Sequence, residues 1–306
     1  MRAFLLGVLL ALSTPLWSQS AEDFSYRAFM DFLSKNYDKS IEEYTQAIRL
    51  KPKSADLFFG RGQAYYSKAD YDSAIRDYSE AIRLNPKLEA ALHERGECYQ
   101  LKGDYERALK DYAEVIRLNP DEAMAIYDRG TVREAQQDAE AALKDYSEAI
   151  RIFPDYRAAF IARGRLYVIR GDNDKAIEDF SQAIRIMPDE EEFLARGAAY
   201  DGKHDYDKAI LDFTEAIKLK PDDALGFKNR ALDYSRKGDL DHGIQDLTQV
   251  TRLDPTDARA FLLRGMMLRR KGDNVRARKD LIEALRLDPN LKEIVQAELK
   301  DMAQSN

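Results

Sequence analysis

The sequence predicts an all-α solenoid of stacked helical hairpins on three observations: a proline period, an apolar pattern locked to it, and a composition suited to solvated helices. Pro52, Pro86, Pro120, Pro154, Pro188, Pro221, Pro255 and Pro289 lie 34 residues apart, except for one 33-residue step from Pro188 to Pro221. A fixed period of this size marks a repeat array. Among 306 residues, 48 Lys and Arg face 55 Asp and Glu, while Gly, Pro and Cys are sparse. That balance suits salt-bridged helical surfaces and argues against a disordered or disulfide-stapled chain. The formal net charge of -7 disfavours nucleic acid as a partner, because phosphate binding needs a net or clustered basic surface.

The chain opens with a single charge at Arg2, the apolar run Ala3 to Leu12, and then small residues at Ser18, Ser20 and Ala21. This reads as a secretory signal peptide over residues 1–20, so the mature protein is expected in the periplasm or outside the cell. The run is too short for a membrane-spanning helix and Pro15 interrupts its extension, which leaves an uncleaved N-terminal anchor as the weaker alternative. Cys98 is the sole cysteine and has no partner within the chain, so stability is expected to come from packing.

Each repeat unit is numbered here so that its proline is position 32. Large apolar side chains then fall at position 4 (Phe58, Leu92, Ile126, Phe160, Phe193, Phe227, Phe261) and Gly or Ala at position 8 (Gly62, Gly96, Gly130, Gly164, Gly197, Ala231, Gly265). Position 11 is usually Tyr, as at Tyr65, Tyr99, Tyr167, Tyr200 and Tyr234. Positions 4, 8 and 11 form one face of a first helix, A. A break such as Lys102-Gly103-Asp104 follows, and positions 20, 24 and 27, as in Ala108, Tyr112 and Val115, form the face of a second helix, B. A short connection makes the two antiparallel, and one hairpin cannot bury both its faces, so hairpins stack. The apolar residue before each proline, as in Leu84-Asn85-Pro86, ends helix B where the ring and missing N–H forbid another turn.

With Gly103-Asp104-Tyr105 through Asn119-Pro120 in register with its neighbours, the chain resembles the tetratricopeptide repeat family. The resemblance covers eight units over 21–291 as one continuous solenoid, and implies a right-handed superhelix that works as a protein–protein interaction scaffold. The first and fourth units depart from the pattern, at Ala28 and Asp31 and at Arg133, Gln137 and Ala139. Beyond Pro289, residues 292–306 are expected to form a capping helix: Val295, Leu299 and Met302 fall at positions 4, 8 and 11, with Glu293, Gln296, Lys300 and Gln304 opposite. Phe24, Phe29 and Phe32 load the first helix with apolar bulk, either covering its own core or offering a homotypic contact.

Position 7 is Arg in every unit, at Arg27, Arg61, Arg95, Arg129, Arg163, Arg196, Arg230 and Arg264. Position 23 is always acidic, at Glu43, Asp77, Asp111, Asp145, Asp179, Asp212, Asp246 and Asp280. The two sites lie at similar heights on antiparallel helices and are expected to form partly buried ion pairs, within a unit or, in the rival geometry, with the next one.

Positions 2, 5, 9 and 12 project away from the A–B interface, and in the family the resemblance points to these faces line a concave groove. Phe59, Tyr66 and Tyr127 are candidate aromatic anchors there. Ile161, Arg165, Val168 and Leu194 follow, and the last units add Lys228, Arg236, Arg259, Arg269 and Arg270 with Leu262 and Met266 between them. An extended peptide with apolar side chains and an acidic end would suit this series. The clamp by which similar domains hold the carboxylate terminus of cytosolic chaperones needs Lys at 5 and Asn at 9. Phe59 with Gln63, His93 with Glu97 and Tyr127 with Thr131 do not provide it.

No enzyme, cofactor or metal site is expected. His93, His204 and His242 sit at positions 5, 15 and 19 of separate units, without the close spacing of metal ligands. Cys98 is at a position suited to packing, and the Gly-Asp pairs follow no strand that would make them phosphate loops. The function expected is an adaptor of the cell envelope that binds a peptide or protein. The alternatives are a subunit of an envelope assembly machine that uses several surfaces, and a carrier of a small apolar ligand.

Overall fold

A computed structural model describes residues 20–304. The segment read as a signal peptide lies outside the described residues apart from Ser20. In chain order the helices are α1 (Ala21–Leu33), α2 (Tyr37–Leu50), α3 (Ala55–Ser67), α4 (Tyr71–Leu84), α5 (Glu89–Leu101), α6 (Tyr105–Leu118), α7 (Ala123–Ala135), α8 (Ala139–Ile152) and α9 (Arg157–Ile169). They continue as α10 (Asn173–Ile186), α11 (Glu190–Gly202), α12 (Tyr206–Leu219), α13 (Ala224–Lys237), α14 (Leu240–Leu253), α15 (Ala258–Arg270), α16 (Asn274–Leu287), a single 3-10 turn at Pro289–Leu291, and α17 (Lys292–Gln304). No strand occurs among the described residues, and no helix among them is long and apolar enough to cross a membrane. Two compact units divide the chain, residues 1–138 with α1–α7 and residues 139–306 with α8–α17. Within each unit every helix packs on the next in sequence.

Helix A starts at position 1 and helix B at position 17 in all eight repeats, including the first and fourth. Asp at position 16 sets the start of B: Asp70, Asp104, Asp205, Asp239 and Asp273 each accept a hydrogen bond from the backbone N–H three residues on, the N-cap arrangement. The A–B turn needs a left-handed residue at position 15. Gly103, Gly171, Gly238 and Gly272 supply it freely, whereas Lys35, Ala69, Gln137 and His204 adopt φ of about 60° against the usual preference of L-residues. Gln137 therefore does not abolish the turn of the fourth repeat.

Where a Cβ would stand on Gly62, the Tyr78 ring lies at 2.6 Å, so position 8 must be small for position 24 to pack. Tyr78, Tyr112, Phe180, Phe213, Leu247 and Leu281, all at position 24, are fully buried. Two further positions belong to the core, position 3 unforeseen from the sequence and position 10 expected to pack at Cys98. Position 3 (Leu57, Ala91, Ala125, Ala159, Ala260) and position 10 (Ala64, Cys98, Val132, Leu166, Ala199, Met267) are buried too. Val295 and Met302 of α17 close the end of the second unit against the Leu268, Leu281 and Ala284 cluster, and Glu293, Gln296 and Lys300 are exposed.

In the repeats that lie wholly within one unit, the arginine–carboxylate pairs form within the repeat. Arg61 binds Asp77 through two bonds, Nε to Oδ2 at 2.7 Å and Nη2 to Oδ1 at 2.8 Å. The same fork joins Arg95 to Asp111, Arg163 to Asp179, Arg196 to Asp212, Arg230 to Asp246 and Arg264 to Asp280. Arg27 reaches only Oε2 of Glu43. The remaining nitrogen links repeats: Nη1 donates to a hydroxyl at position 25 of the preceding helix B, from Arg61 to Thr45, Arg95 to Ser79, Arg163 to Ser147, Arg196 to Ser181 and Arg230 to Thr214. A second, exposed series joins position 14 to position 18 of the preceding repeat, as in Lys102 with Asp72 and Arg170 with Glu140, both at 2.7 Å. Lys68 with Asp38, Lys203 with Asp174, Lys237 with Asp207 and Lys271 with Asp241 repeat it. Exposed pairs of this kind add little each, roughly 0–1 kcal/mol.

Candidate functional site

The side of helix A carrying positions 5, 9 and 12 varies in chemistry from repeat to repeat, whereas the positions that build the hairpins recur. In the first unit, Phe59 is half-buried with its ring 5.8 Å from that of Tyr78, and Tyr66 packs at 5.7 Å from Tyr71. Burial, and then the nearby charge of Glu97, pushes the Tyr66 hydroxyl up to about 12, so it stays protonated as a donor. Tyr127 is half-buried on α7.

Between these rings lies a polar cluster. Glu94 accepts from Gln63 Nε2 at 2.8 Å and from the Tyr78 hydroxyl at 2.5 Å. His93 Nε2 is 2.7 Å from Asp128 Oδ2, and the imidazole sits 5.6 Å from the Tyr112 ring. Burial pulls the His93 imidazole down, but its hydrogen bond to Asp128 and the charges of Asp128, Glu97 and Glu94 outweigh that and hold it above its ordinary value. Burial raises Glu97, with Asp128 and Glu94 adding to the effect against the opposing pull of His93. A pocket of about 380 Å³ opens beside His93 and Glu94, with Glu89 and Glu122 on its walls. The spacing of the three histidines carries no hint of this cluster, because the groups that converge on His93 are carboxylates, one of them from the next repeat.

In the second unit the cations expected to face a ligand are largely engaged by the chain itself. Lys228 Nζ is 2.6 Å from Asp257, Arg236 bridges Asp201 and Asp233 at 2.6 and 2.7 Å, and Arg269 Nε is 2.5 Å from Glu298 of α17. Arg270 donates to Ser235 at 3.0 Å, and Arg165 is 3.4 Å from Glu191. Arg259 is exposed and has no ion-pair partner among the described residues. Ile161 and Met266 are half-buried. Leu262 is a correction to the expected binding face: it is buried in the core with Leu268 and Leu281, where the end helix folds over it.

Asp233 was hidden from sequence reading by its place on an A helix otherwise rich in polar residues. It is fully buried, its Oδ2 meets no donor among the described residues, and burial together with the charge of Asp201 pushes it up to about 6 despite Arg236. A carboxyl raised in the folded state binds its proton more tightly there than in the unfolded chain. Its ionisation therefore removes stability as pH rises from about 4 through 6. Asp233→Asn is expected to stabilise the second unit by about 2 kcal/mol at pH 7, with the gap from wild type closing by pH 4. Urea denaturation of both proteins across that range checks it, and a variant less stable at pH 7 would contradict the assignment.

Burial pushes the Cys98 thiol up to about 12, so it is neutral and packed.

A model of the TPR repeat matches residues 30–69 and 62–103, and models of the tetratricopeptide repeat match 101–157, 127–191, 228–291 and 193–223. No curated protein matches. Among solved structures, the chain is similar to a tetratricopeptide repeat protein from Parabacteroides merdae ATCC 43184, with 19% identity, 82% of this chain and 99% of that one covered, and a TM-score of 0.57. It is similar to YrrB, described as a TPR protein with an unusual peptide-binding site, at 21% identity over 62% of this chain and 97% of that one, TM-score 0.56. MamA protein is 27% identical over 55% of this chain and 92% of its own, TM-score 0.51.

Proposed function

This chain belongs to the tetratricopeptide-repeat family, and from that premise we infer that it is an interaction scaffold that holds a peptide or protein segment against the variable sides of its A helices. The observation that carries the reading is the contrast between fixed and variable positions. Positions 4, 7, 8, 23 and 24 are consumed by packing and ion pairing, while position 5 runs Phe59, His93, Tyr127, Ile161, Leu194, Lys228, Leu262. Scaffold chemistry explains the first set and leaves most of the second for recognition.

Half-buried rings make good anchors because much of their ordering cost is already met before a ligand arrives. In the first unit Phe59, Tyr66 and Tyr127 take apolar side chains, and in the second Arg165, Arg259 and Arg270 attract acidic ones. Lys228 and Arg269, already neutralised by Asp257 and Glu298, contribute their apolar stems. The leader-like composition of residues 1–20 supports a cell-envelope setting for this work. A second reading, a subunit that engages several surfaces, is favoured by the exposed apolar side of α1, where Tyr26, Phe29, Met30 and Leu33 are each 44% or more exposed.

Selection of a random peptide display library on the immobilised full chain tests the main reading. The peptides recovered are expected to be rich in aromatic or aliphatic residues or in Asp and Glu. The apolar ones should be lost when Tyr66 and Tyr127 become Ala, and the acidic ones weakened when Arg259 and Arg270 become Glu. Recovery that is indifferent to both changes would move the binding surface elsewhere.

A further inference from the structure

We propose that His93, Glu97 and Asp128 form a binding site for a divalent transition-metal ion, zinc being the best fit. His93 and Glu97 stand four residues apart on α5 and so share one face a turn apart. Asp128 comes from α7, the A helix of the following repeat. One ligand atom from each, the imidazole nitrogen and two carboxylate oxygens, lies within 4.8 Å of the others, and all three residues are half-buried.

Glu97 is the group that ion pairing leaves over. Other shielded carboxylates on A helices have donors of their own: Glu94 takes Gln63 and Tyr78, Asp201 takes Arg236, and Glu192 takes Arg157. Glu97 has no hydrogen-bond or ion-pair partner among the described residues and faces two more carboxylates, Asp128 and Glu94, with His93 as the sole basic group beside it. A half-buried negative charge in that setting is costly, and a divalent ion would offset it.

The donor set fits such an ion. Zinc binds imidazole nitrogen and carboxylate oxygen at about 2.0–2.2 Å, and tetrahedral angles at those lengths hold donors about 3.3 Å apart. The His93–Asp128 contact of 2.7 Å would open by about 0.6 Å on this geometry, and Glu97, whose donor atom lies within 4.8 Å of the others, would close in by at most about 1.5 Å. Imidazole among the ligands favours zinc over magnesium or calcium, which prefer all-oxygen shells. Three protein ligands leave a fourth coordination position for water or for a side chain of a bound protein. The inference rests on this geometry and not on the peptide-binding reading.

Zinc titration of the purified full chain by calorimetry, after treatment with chelator, tests it. The expected result is uptake of one zinc per chain, with His93→Gln, Glu97→Gln and Asp128→Asn each weakening affinity by about tenfold or more. His204→Gln and His242→Gln should leave it unchanged. Cobalt added to the unaltered protein should give the visible absorption of a tetrahedral ion, a readout that needs no variant to fold. Failure of the unaltered chain to take up either ion overturns the proposal, as does uptake that survives all three substitutions.

Discussion

Asp111→Ala is expected to destabilise the first unit by about 3–5 kcal/mol. The Asp111 side chain is 6% exposed and holds two nitrogens of Arg95, whose side chain is 19% exposed. Removing it leaves a guanidinium enclosed by α4, α5 and α6 with the Ser79 hydroxyl as its remaining close acceptor. Burial already works against the charge on Arg95, and the Asp111 hydrogen bond and charge overcome it. Deleting both partners has a different sign of argument, because no stranded charge remains. Arg95→Met with Asp111→Leu is therefore expected to cost far less than the single change, and to leave the fold intact. Denaturant unfolding of the two variants measures the difference. A single-variant loss below about 1 kcal/mol would place the pair among ordinary surface bridges.

Phe180→Ala is expected to cost the second unit about 3–5 kcal/mol. The ring is 1% exposed, lies 3.0 Å from where a Cβ on Gly164 would stand, and reaches Ala199 of the next repeat. It thus fills the space within one hairpin and the seam to its neighbour at once. In an array whose stability is a sum of repeats and their interfaces, the loss should be local: amide exchange should rise in α9, α10 and α11 while α14 to α17 keep their protection. Gly164→Ala on top of Phe180→Ala should recover part of the loss by filling the cavity, although in the wild-type background the same methyl would press on the ring. Uniform exchange throughout the second unit would show a single cooperative block instead.

The parts of this protein legible in its sequence are those where one side chain meets one helix face. The proline period, Gly62 beneath Tyr78, and Val295 and Met302 on the end helix follow from spacing inside a single hairpin; that Arg61 takes Asp77 of its own repeat was left open by the sequence and decided by the fold. Contacts between successive repeats were not legible in the same way. The bond from Arg61 to Thr45, the reach of Lys102 to Asp72, and the burial of Leu262 depend on how far each hairpin is turned and raised against the one before it. The convergence of Asp128 on His93 has the same origin, since 35 residues separate them and no periodic pattern marks either as a ligand.

What the sequence determined by itself is the array: helices of fixed length, their caps and stops, and the alternation of apolar faces, because these arise from backbone chemistry and nearest-neighbour spacing. What tertiary structure alone decided is which charges remain available. A carboxylate's burial and the distance to its nearest cation are set by three-dimensional stacking, so Arg269 is drawn to Glu298, Asp233 is buried with one carboxylate oxygen unmatched, and, among the described residues, Glu97 is left beside His93 with no donor of its own.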